Sequence, residues 1–338
     1  MALPMRFGVF DHIDANGMPV GEQYAQRLRL IELYETLGFY CYHLTEHHAT
    51  DLGMGSSPSV FLAAATQRTR TIKLGTLVYL LPLHHPVRLL EEIAMLDQLS
   101  NGRFQLGIGR GGQPAEHSRF GLAEEDLGPM FEEALDLILK GLAGESLEHR
   151  GRYYSLPEVP LRIRPVQQPH PPLWYGTGSS HRNEWAAHHR VNLLTLTPND
   201  RTRPVFDDYR ERLAGLGLSA NEMPFMGQAR QLVVAETDAE AERIAERAWQ
   251  RFVRSFNWLV TWLGKDPFPI APTYAGAAKM GLAFAGSPSS VRDFVERARS
   301  EAGATYMALE IAFGDITEQE AAQTAELFAR EVMPAFSE

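Results

Sequence analysis

Short apolar runs alternate with amphipathic stretches along most of the chain. Eight of these runs predict β-strands, because each is rich in apolar or β-branched residues and is bounded by polar residues or glycine. They cover residues 6–10, 39–44, 72–81, 103–109, 173–178, 191–196, 230–236 and 305–313. The run at 72–81 is almost continuously apolar, as expected of a parallel strand that is covered on both faces.

Helical patterns follow most of these strands. They predict helices at 22–37, 57–69, 86–99 and 124–142 and a last helix that ends near Met333. The regular alternation predicts an α/β fold, a single (β/α)8 TIM barrel that occupies residues 1–338 as one domain. Residues 262–287, between the seventh and eighth strands, are interrupted by glycine and proline and show no clear period. They predict an inserted rim loop that is a candidate active-site lid.

Composition narrows the classes of partner. The chain has 32 basic and 42 acidic residues and a net charge of −10, which argues against nucleic acid and gives no support to an anionic membrane surface. Cys41 is the single cysteine, so no disulfide can form within the chain and a reducing compartment is expected. The start of the sequence does not have the pattern of a signal peptide, and no apolar run is long enough for a membrane span. We therefore expect a cytoplasmic protein.

Polar and glycine-rich segments follow four of the predicted strands. They are DHID (11–14), TEHH (45–48), GRGG (109–112) and TGSS (177–180). In a TIM barrel, catalytic residues come from the carboxyl ends of the strands. The four segments are therefore expected to lie on one rim.

The segment TEHH contains Glu46, His47 and His48. A metal site is disfavoured, because neighbouring residues of an extended strand face opposite sides and the spacing H-E-x-x-H is absent. Two alternatives remain: a structural polar cap, or a site in which one imidazole faces the rim pocket while Glu46 orients it or the loop. We favour the second, because the charge of histidine changes near neutral pH.

The segment GIGRGG (107–112) fits the dinucleotide-binding pattern G-x-G-x-x-G, but it follows the fourth strand rather than the first. Pro114 also follows too closely for a helix to open cleanly at that point. The segment instead predicts a glycine turn where the backbone approaches a ligand and Arg110 offers a bidentate contact to an anion. The alternative is a plain loop with a solvated arginine.

The segment TGSSHRNEWAAHH (177–189) predicts a strand end followed by a helix that Ser179 or Ser180 caps. The free N–H groups of a helix start attract phosphate, and Arg182 adds positive charge. A plain N-cap is equally compatible with this pattern. Because the fourth and fifth strands are neighbours, their two candidate anion sites favour one phosphate that both segments bind.

These segments together resemble one protein family. The sequences FGVF and TEHH, the block at 74–111, the element SS-x-x-x-EWAA and the final EVMP are similar to the bacterial luciferase-like flavin-dependent monooxygenases. The resemblance is weakest at 199–229 and 262–287. It implies a barrel that binds reduced FMN from a separate flavin reductase. The flavin and O2 would form a C4a-hydroperoxide that oxidises a small aldehyde, ketone, alkane or similar molecule.

The resemblance also assigns roles to residues. His47 matches the catalytic histidine, Arg110 and Ser179 match contacts to the flavin phosphate, and Arg182 occupies a neighbouring position. Leu77 and Val78 match a pair, often joined by a non-prolyl cis peptide, that lies against the isoalloxazine ring. With His47 as the catalytic residue, the candidate cofactor-binding residues are Glu46, Leu77, Val78, Gly109, Arg110, Thr177, Gly178, Ser179, Ser180 and Arg182.

The same resemblance leaves alternatives open. Gly109 stands where light-emitting members have a reactive cysteine, so we expect a non-luminous member. One alternative is a barrel relative that uses the deazaflavin F420 for hydride transfer, and another is a flavin-binding protein without activity. The intact TEHH argues against the last of these.

The resemblance further implies pairing of two subunits through helices 57–69 and 86–99. The second of these carries Leu89, Leu90, Ile93, Met95 and Leu96, more apolar surface than one barrel wall needs. We therefore expect a homodimer.

Overall fold

A closed barrel of eight parallel strands forms the centre of the computed structural model, which describes residues 4–219 and 222–337. The strands in chain order are β1 (Arg6–Asp11), β2 (Cys41–Leu44), β3 (Lys73–Thr76), β4 (Tyr79–Leu80), β5 (Phe104–Gly109), β6 (Ser146–Arg150), β7 (Ser155–Pro160), β8 (Leu173–Gly176), β9 (Asn192–Thr195), β10 (Met226–Val234), β11 (Ala283–Gly286) and β12 (Tyr306–Glu310). The barrel follows the order β1-β2-β3-β5-β8-β9-β10-β12, and β12 pairs with β1 to close it. The predicted TIM barrel is confirmed.

Helices surround the barrel. They are α1 (Val20–Thr36), α2 (Pro58–Arg68), α3 (Pro86–Ser100), α4 (Pro114–His117), α5 (Glu124–Ala143), α6 (Asn183–His188), α7 (Asn199–Ala214), α8 (Asp238–Trp262), α9 (Tyr274–Lys279), α10 (Pro288–Arg297) and α11 (Glu318–Leu327). Both α2 and α3 start with proline, whose missing N–H has no partner to lose in the first turn of a helix. Helix α3 ends at Ser100 and is followed by the C-cap residue Asn101, which adopts the left-handed conformation with φ of 55°.

Three local predictions need correction. The predicted strand at 72–81 is interrupted at Leu77–Val78, a cis peptide, and continues as β4, which pairs with β5. Pro114 does not prevent a helix from starting there, because it occupies the first turn of the short helix α4. The seventh barrel strand, predicted at 230–236, begins earlier, at Met226.

The insertion at 262–287 lies where the sequence predicts it, but much of it is ordered secondary structure. It starts at the end of α8, contains α9 and ends with β11, which pairs with the carboxyl half of β10. Its first part packs inward, since Leu263 and Phe268 join an apolar cluster with Ala115 of α4. A cavity opens at the carboxyl ends of the barrel strands. Among the described residues, Phe256 of α8 is one of those that line it, whereas none of 262–287 does. A lid function for the insertion stays a prediction.

The side chains expected to form a dimer surface are mostly buried within the subunit. Leu89, Leu90, Ile93 and Leu96 face the subunit's own core, so they are not surplus apolar surface. Met95, the fifth of the predicted residues, is exposed, and the other exposed large apolar residues on these helices are Leu99 on α3 and Val60 on α2. The homodimer stays a prediction, and these three residues are now its basis.

Buried side chains close the barrel below the rim. The imidazole Nε2 of His43 lies 2.8 Å from the hydroxyl of Tyr306, and the indole N–H of Trp174 donates to Gln105 at 2.9 Å. Burial lowers the pKa of His43 to about 3, so this imidazole is neutral in the folded protein. The filled interior leaves the carboxyl ends of the strands as the place for a ligand. No helix in the described part of the chain has the length and apolar character needed to cross a membrane.

Candidate active site

A cavity of about 560 Å³ opens at the carboxyl ends of the barrel strands. This volume is typical of small-molecule and cofactor sites. Its walls include the following predicted site residues: Glu46, His47, Leu77, Val78, Gly109, Arg110, Thr177 and Gly178. Ser179, Ser180 and Arg182 follow directly in the chain but do not line the cavity. A hollow of about 670 Å³ between α8 and α9 lies on the outer surface, away from these residues.

His47 is fixed by a carboxylate that the sequence did not identify. Its Nδ1 lies 2.8 Å from Oε1 of Glu116, and the other oxygen of Glu116 accepts the backbone N–H of His48 at 3.1 Å. Glu116 is buried on α4. The residue before it, Ala115, packs against the insertion at 262–287. Because Nδ1 is engaged, Nε2 is the ring nitrogen available to a ligand in the cavity. This is the arrangement of an oriented acid–base residue.

Glu46 orients the segment that follows the cis peptide and does not orient His47. One of its oxygens accepts the backbone N–H of Leu80 at 2.7 Å, and the other lies 2.8 Å from Nε2 of both His48 and His84. Burial alone would raise the pKa of Glu46, but the hydrogen bonds from His48, His84 and Leu80 lower it below its ordinary value. Glu46 is therefore an ionised carboxylate that positions the loop, one of the two roles considered for it.

Glycines of β5 allow close packing against the segment that contains Leu77 and Val78. A Cβ atom at Gly107 would lie 2.0 Å from the carbonyl oxygen of Thr76, and one at Gly109 would lie 2.3 Å from Cγ2 of Val78. The first part of the motif GIGRGG thus serves strand packing. The result is an apolar wall made by Leu77 and Val78 on one side of the cavity.

The structure brings together only some of the residues that were predicted to bind an anion. Arg110 is exposed at the cavity edge, and within residues 4–219 and 222–337 its guanidinium makes no hydrogen bond or ion pair. The hydroxyl of Thr177 donates to the carbonyl of Ser179 at 2.6 Å and orders this turn. Neither Ser179 nor Ser180 caps a helix with its side chain, contrary to the sequence prediction.

Arg182 already has partners. Its guanidinium donates to the carboxylate of Glu132, with the second contact at 3.0 Å. It also lies 5.0 Å from the ring centroids of Phe131 and Trp185, within the range of a cation–π contact. A phosphate contact by Arg182 would have to compete with these interactions.

A second histidine faces the cavity from the end of β1. The ring of His12 stacks on that of His47 with a centroid distance of 5.4 Å, and its Nδ1 lies 2.5 Å from Oε1 of Glu310 on β12. At that separation two imidazolium cations would repel each other by about 3 kcal/mol with an effective dielectric constant of about 20. Simultaneous protonation of both rings is therefore disfavoured. The sequence segment DHID indicated the place, but Glu310 and Glu116 were missed.

The histidines and carboxylates at the rim do not form a metal centre in the described part of the chain, where no group of three such side chains has an arrangement that could bind an ion. Glu46 and His48 bond to each other while His47 turns to Glu116, as expected for alternating directions along an extended segment.

Comparison with known proteins now defines the family. Residues 5–330 match the model of the luciferase-like monooxygenases. The chain belongs to this family. It is 39% identical to the uncharacterized protein y4wF of Sinorhizobium fredii over 332 residues, 97% of this chain and 96% of that protein.

Two further proteins that are similar to this chain have informative names. A flavin-dependent trigonelline monooxygenase, oxygenase component, of Acinetobacter baylyi is 28% identical over 99% of this chain and 96% of its own length. The crystal structure of the monooxygenase RslO1 from Streptomyces bottropensis superposes with a TM-score of 0.88 at 26% identity, over 98% of this chain and 99% of the other. Both the recognition of the family and the barrel fold are confirmed.

Proposed function

We propose that this protein is the oxygenase of a two-component flavin-dependent monooxygenase, with a small organic molecule such as an aldehyde, ketone or alkane as its substrate. Reduced FMN would supply the activation of O2, through the C4a-hydroperoxide that the family resemblance implies. The observation that carries the proposal is a cavity of cofactor size with an apolar wall on one side and an oriented imidazole, His47, on its rim.

The described residues fit the cofactor. Leu77 and Val78 offer an apolar surface for a ring system, and Gly109 adds no further side chain to that surface. Arg110 is a cation at the cavity edge that no carboxylate neutralises among residues 4–219 and 222–337, as a phosphate-binding arginine should be. Thr177 and Gly178 line the same cavity as Arg110, and the contacts of Thr177 with Ser179 order this turn.

His47 would hold or move one proton at its Nε2, with Glu116 fixing the ring through Nδ1. A base or acid placed in this way contributes about 10²–10⁴-fold to a proton-dependent step. Glu46 would keep the Leu77–Leu80 segment in place through the N–H of Leu80. The apolar wall would exclude water from the reacting groups.

The partner and the absence of light emission are part of the proposal. The name of the Acinetobacter relative, an oxygenase component, supports a separate reductase as the source of reduced FMN. A reactive cysteine at position 109 would bring its Cβ to 2.3 Å from Cγ2 of Val78 unless Val78 shifts, which supports the proposal of a non-luminous member. A cytoplasmic homodimer fits the same interpretation.

Anaerobic titration of the protein with reduced FMN and with reduced F420 tests the cofactor. We expect saturable binding of reduced FMN, followed by consumption of oxygen when air is admitted. Saturable binding of F420 alone, with no reaction towards oxygen, would instead identify a hydride-transfer enzyme. Binding of FMN without any change in its reaction with oxygen would identify a flavin-binding protein without activity.

A further inference from the structure

A second histidine–carboxylate pair, His12 and Glu310, lies beside the first, since the ring of His12 lines the cavity and stacks on that of His47. Nδ1 of His12 lies 2.5 Å from Oε1 of Glu310, and the other oxygen of Glu310 accepts the side-chain amide of Gln231 at 2.7 Å. The Glu310 side chain is only 2% exposed, whereas His12 is 11% exposed and lines the cavity. The imidazole of His12 therefore connects a buried carboxyl group with the space where a ligand binds.

The charges around Glu310 do not balance if every carboxyl group is ionised. Asp11, Asp14 and Glu310 are all buried at this end of the barrel, and Arg27 is the buried cation among them. Arg27 pairs with Asp11, with Nε 3.0 Å from Oδ2. Asp14 accepts the backbone N–H of Gly314, and neither it nor Glu310 has an arginine or lysine partner among the described residues. A buried anion without a cation is unfavourable, so the carboxyl groups of Asp14 and Glu310 favour the protonated form.

The direction of the pKa shifts agrees with this balance. Burial, reinforced by the charge of Asp11, raises the pKa of Glu310 well above its ordinary value. Burial likewise raises the pKa of Asp14, with Glu310 as the second cause. Burial lowers the pKa of His12 to about 4 against the opposing charges of Asp11 and Glu116.

We propose that His12 and Glu310 form a second proton-transfer pair in this site, in which the carboxyl group of Glu310 stores a proton and the imidazole of His12 delivers it to a ligand in the cavity. The identity of that ligand rests on the proposed function. The proton stored on Glu310, here called the proton store, does not depend on it. In the resting pair, Glu310 donates to Nδ1 of His12, and Nε2 carries the ring proton.

Delivery is balanced without a further reactant. The Nε2–H bond of His12 breaks as its proton passes to a basic oxygen or nitrogen of the ligand, and the proton of Glu310 moves to Nδ1. The imidazole stays neutral in its other tautomer, and Glu310 becomes a carboxylate. That carboxylate keeps hydrogen bonds from Nδ1 of His12 and from Gln231. Return of a proton from solvent resets the pair.

The groups that influence this pair lie on several elements. They are Asp11 on β1, Asp14 after β1, Arg27 on α1, His47 after β2, Glu116 on α4 and the neutral Gln231 on β10. His47 and Glu116 belong to the first pair, so the site contains two imidazoles with separate carboxyl partners. Different proton affinities would let one imidazole take up a proton while the other delivers one.

Infrared spectroscopy of the protein without flavin tests the proton store. With ¹³C in the glutamate carboxyl groups, we expect a label-sensitive band of a protonated carboxyl group at neutral pH. Glu310→Gln should remove this band, and the matched control Glu46→Gln should keep it, because Glu46 is a buried glutamate with a lowered pKa. Absence of the band in the wild type, or its persistence in Glu310→Gln, would overturn the proposal.

His12→Gln covers the case in which Glu310→Gln does not fold. It replaces the imidazole at Oε1 of Glu310 with an amide, so the band should shift in frequency. An unshifted band would show that the stored proton is not bonded to His12 and would overturn the proposal.

The second readout uses the complex with reduced FMN. The rate of its reaction with oxygen should be independent of pH across the neutral range in the wild type. In His12→Gln and Glu310→Gln it should fall by about 10²-fold and follow the pH of the buffer, with unchanged affinity for FMN. A purely structural role would weaken FMN binding or lower stability and leave the pH profile flat, which contradicts the proposal. If reduced FMN does not bind at all, the proposed function fails while the infrared result still decides the proton store.

Discussion

Replacement of Glu46 by alanine removes an acceptor that is buried and holds three hydrogen bonds. They come from the backbone N–H of Leu80 at 2.7 Å and from Nε2 of His48 and His84 at 2.8 Å each. Hydrogen bonds to a charged group contribute about 1.5–3 kcal/mol each, but their effects within one network are not additive. Because Glu46→Ala also leaves the buried N–H of Leu80 without a partner, we expect a loss of about 3–5 kcal/mol of unfolding free energy. Glu46→Gln keeps one acceptor oxygen and should lose about 1–3 kcal/mol.

Urea unfolding followed by circular dichroism measures these losses, and flavin fluorescence measures FMN affinity. Glu133→Gln is the matched control, because Glu133 also accepts two backbone N–H groups and a histidine but lies outside the cavity. Both glutamine variants should lower stability, whereas only Glu46→Gln should weaken FMN binding. A loss below about 1 kcal/mol in Glu46→Ala would refute the assigned hydrogen bonds. Equal FMN affinity in Glu46→Gln and the wild type would refute the positioning role.

The pH dependence of stability gives a further check on Glu46. Its native pKa is lowered, so the stabilisation is fully present above the unfolded-state pKa of about 4.3 and is lost as the pH falls through the native value. The difference in stability between wild type and Glu46→Gln should therefore shrink on acidification. A difference that grows as the pH falls would contradict an ionised Glu46.

Three other predictions concern cofactor, packing and assembly. Arg110→Ala should weaken binding of FMN far more than binding of riboflavin, while Arg182→Ala should affect both ligands similarly. Equal weakening of both ligands by Arg110→Ala would refute a contact between Arg110 and the phosphate. Gly109→Ala should cost about 1–3 kcal/mol in urea unfolding, because its Cβ would overlap a valine methyl at 2.3 Å, and a neutral result would show that the wall can move. The wild type should scatter light as a dimer, and the double variant Met95→Glu/Leu99→Glu as a monomer near 37.8 kDa; a wild-type monomer would refute the dimer.

The barrel could be predicted from the sequence because parallel strands that are buried on both faces are apolar throughout. The rim position of His47 follows from that pattern, since a strand ends directly before TEHH. The pattern was less informative where tertiary contacts decide the conformation. The interruption at Leu77–Val78 lies within an apolar run that reads as one strand, and the insertion at 262–287 is stabilised by packing against α8 and α4.

The partners of the site residues lie far away in sequence. Glu116 is 69 residues from His47, and Glu310 is 298 residues from His12, so no local pattern pairs them. Glu310 nevertheless had a signal, because it is the single charged residue in the apolar strand 305–313 and lies near its carboxyl end. Arg182 shows the opposite case. The residues around it suggested a phosphate site, but in the fold its charge is paired with Glu132, which lies 50 residues earlier in the chain.

The reaction of the reduced-FMN complex with oxygen in stopped flow tests the central claim most directly. If the proposed function is right, wild-type protein should delay the return of oxidised-flavin absorbance, because an oxygenated flavin would persist in the site before it decays. His47→Ala should bind reduced FMN with similar affinity but lose this delay, whereas His48→Ala should keep it and be less stable, since His48 bonds to Glu46 rather than facing the cavity. Identical behaviour of the two variants, or a wild type without any delay, would contradict the account.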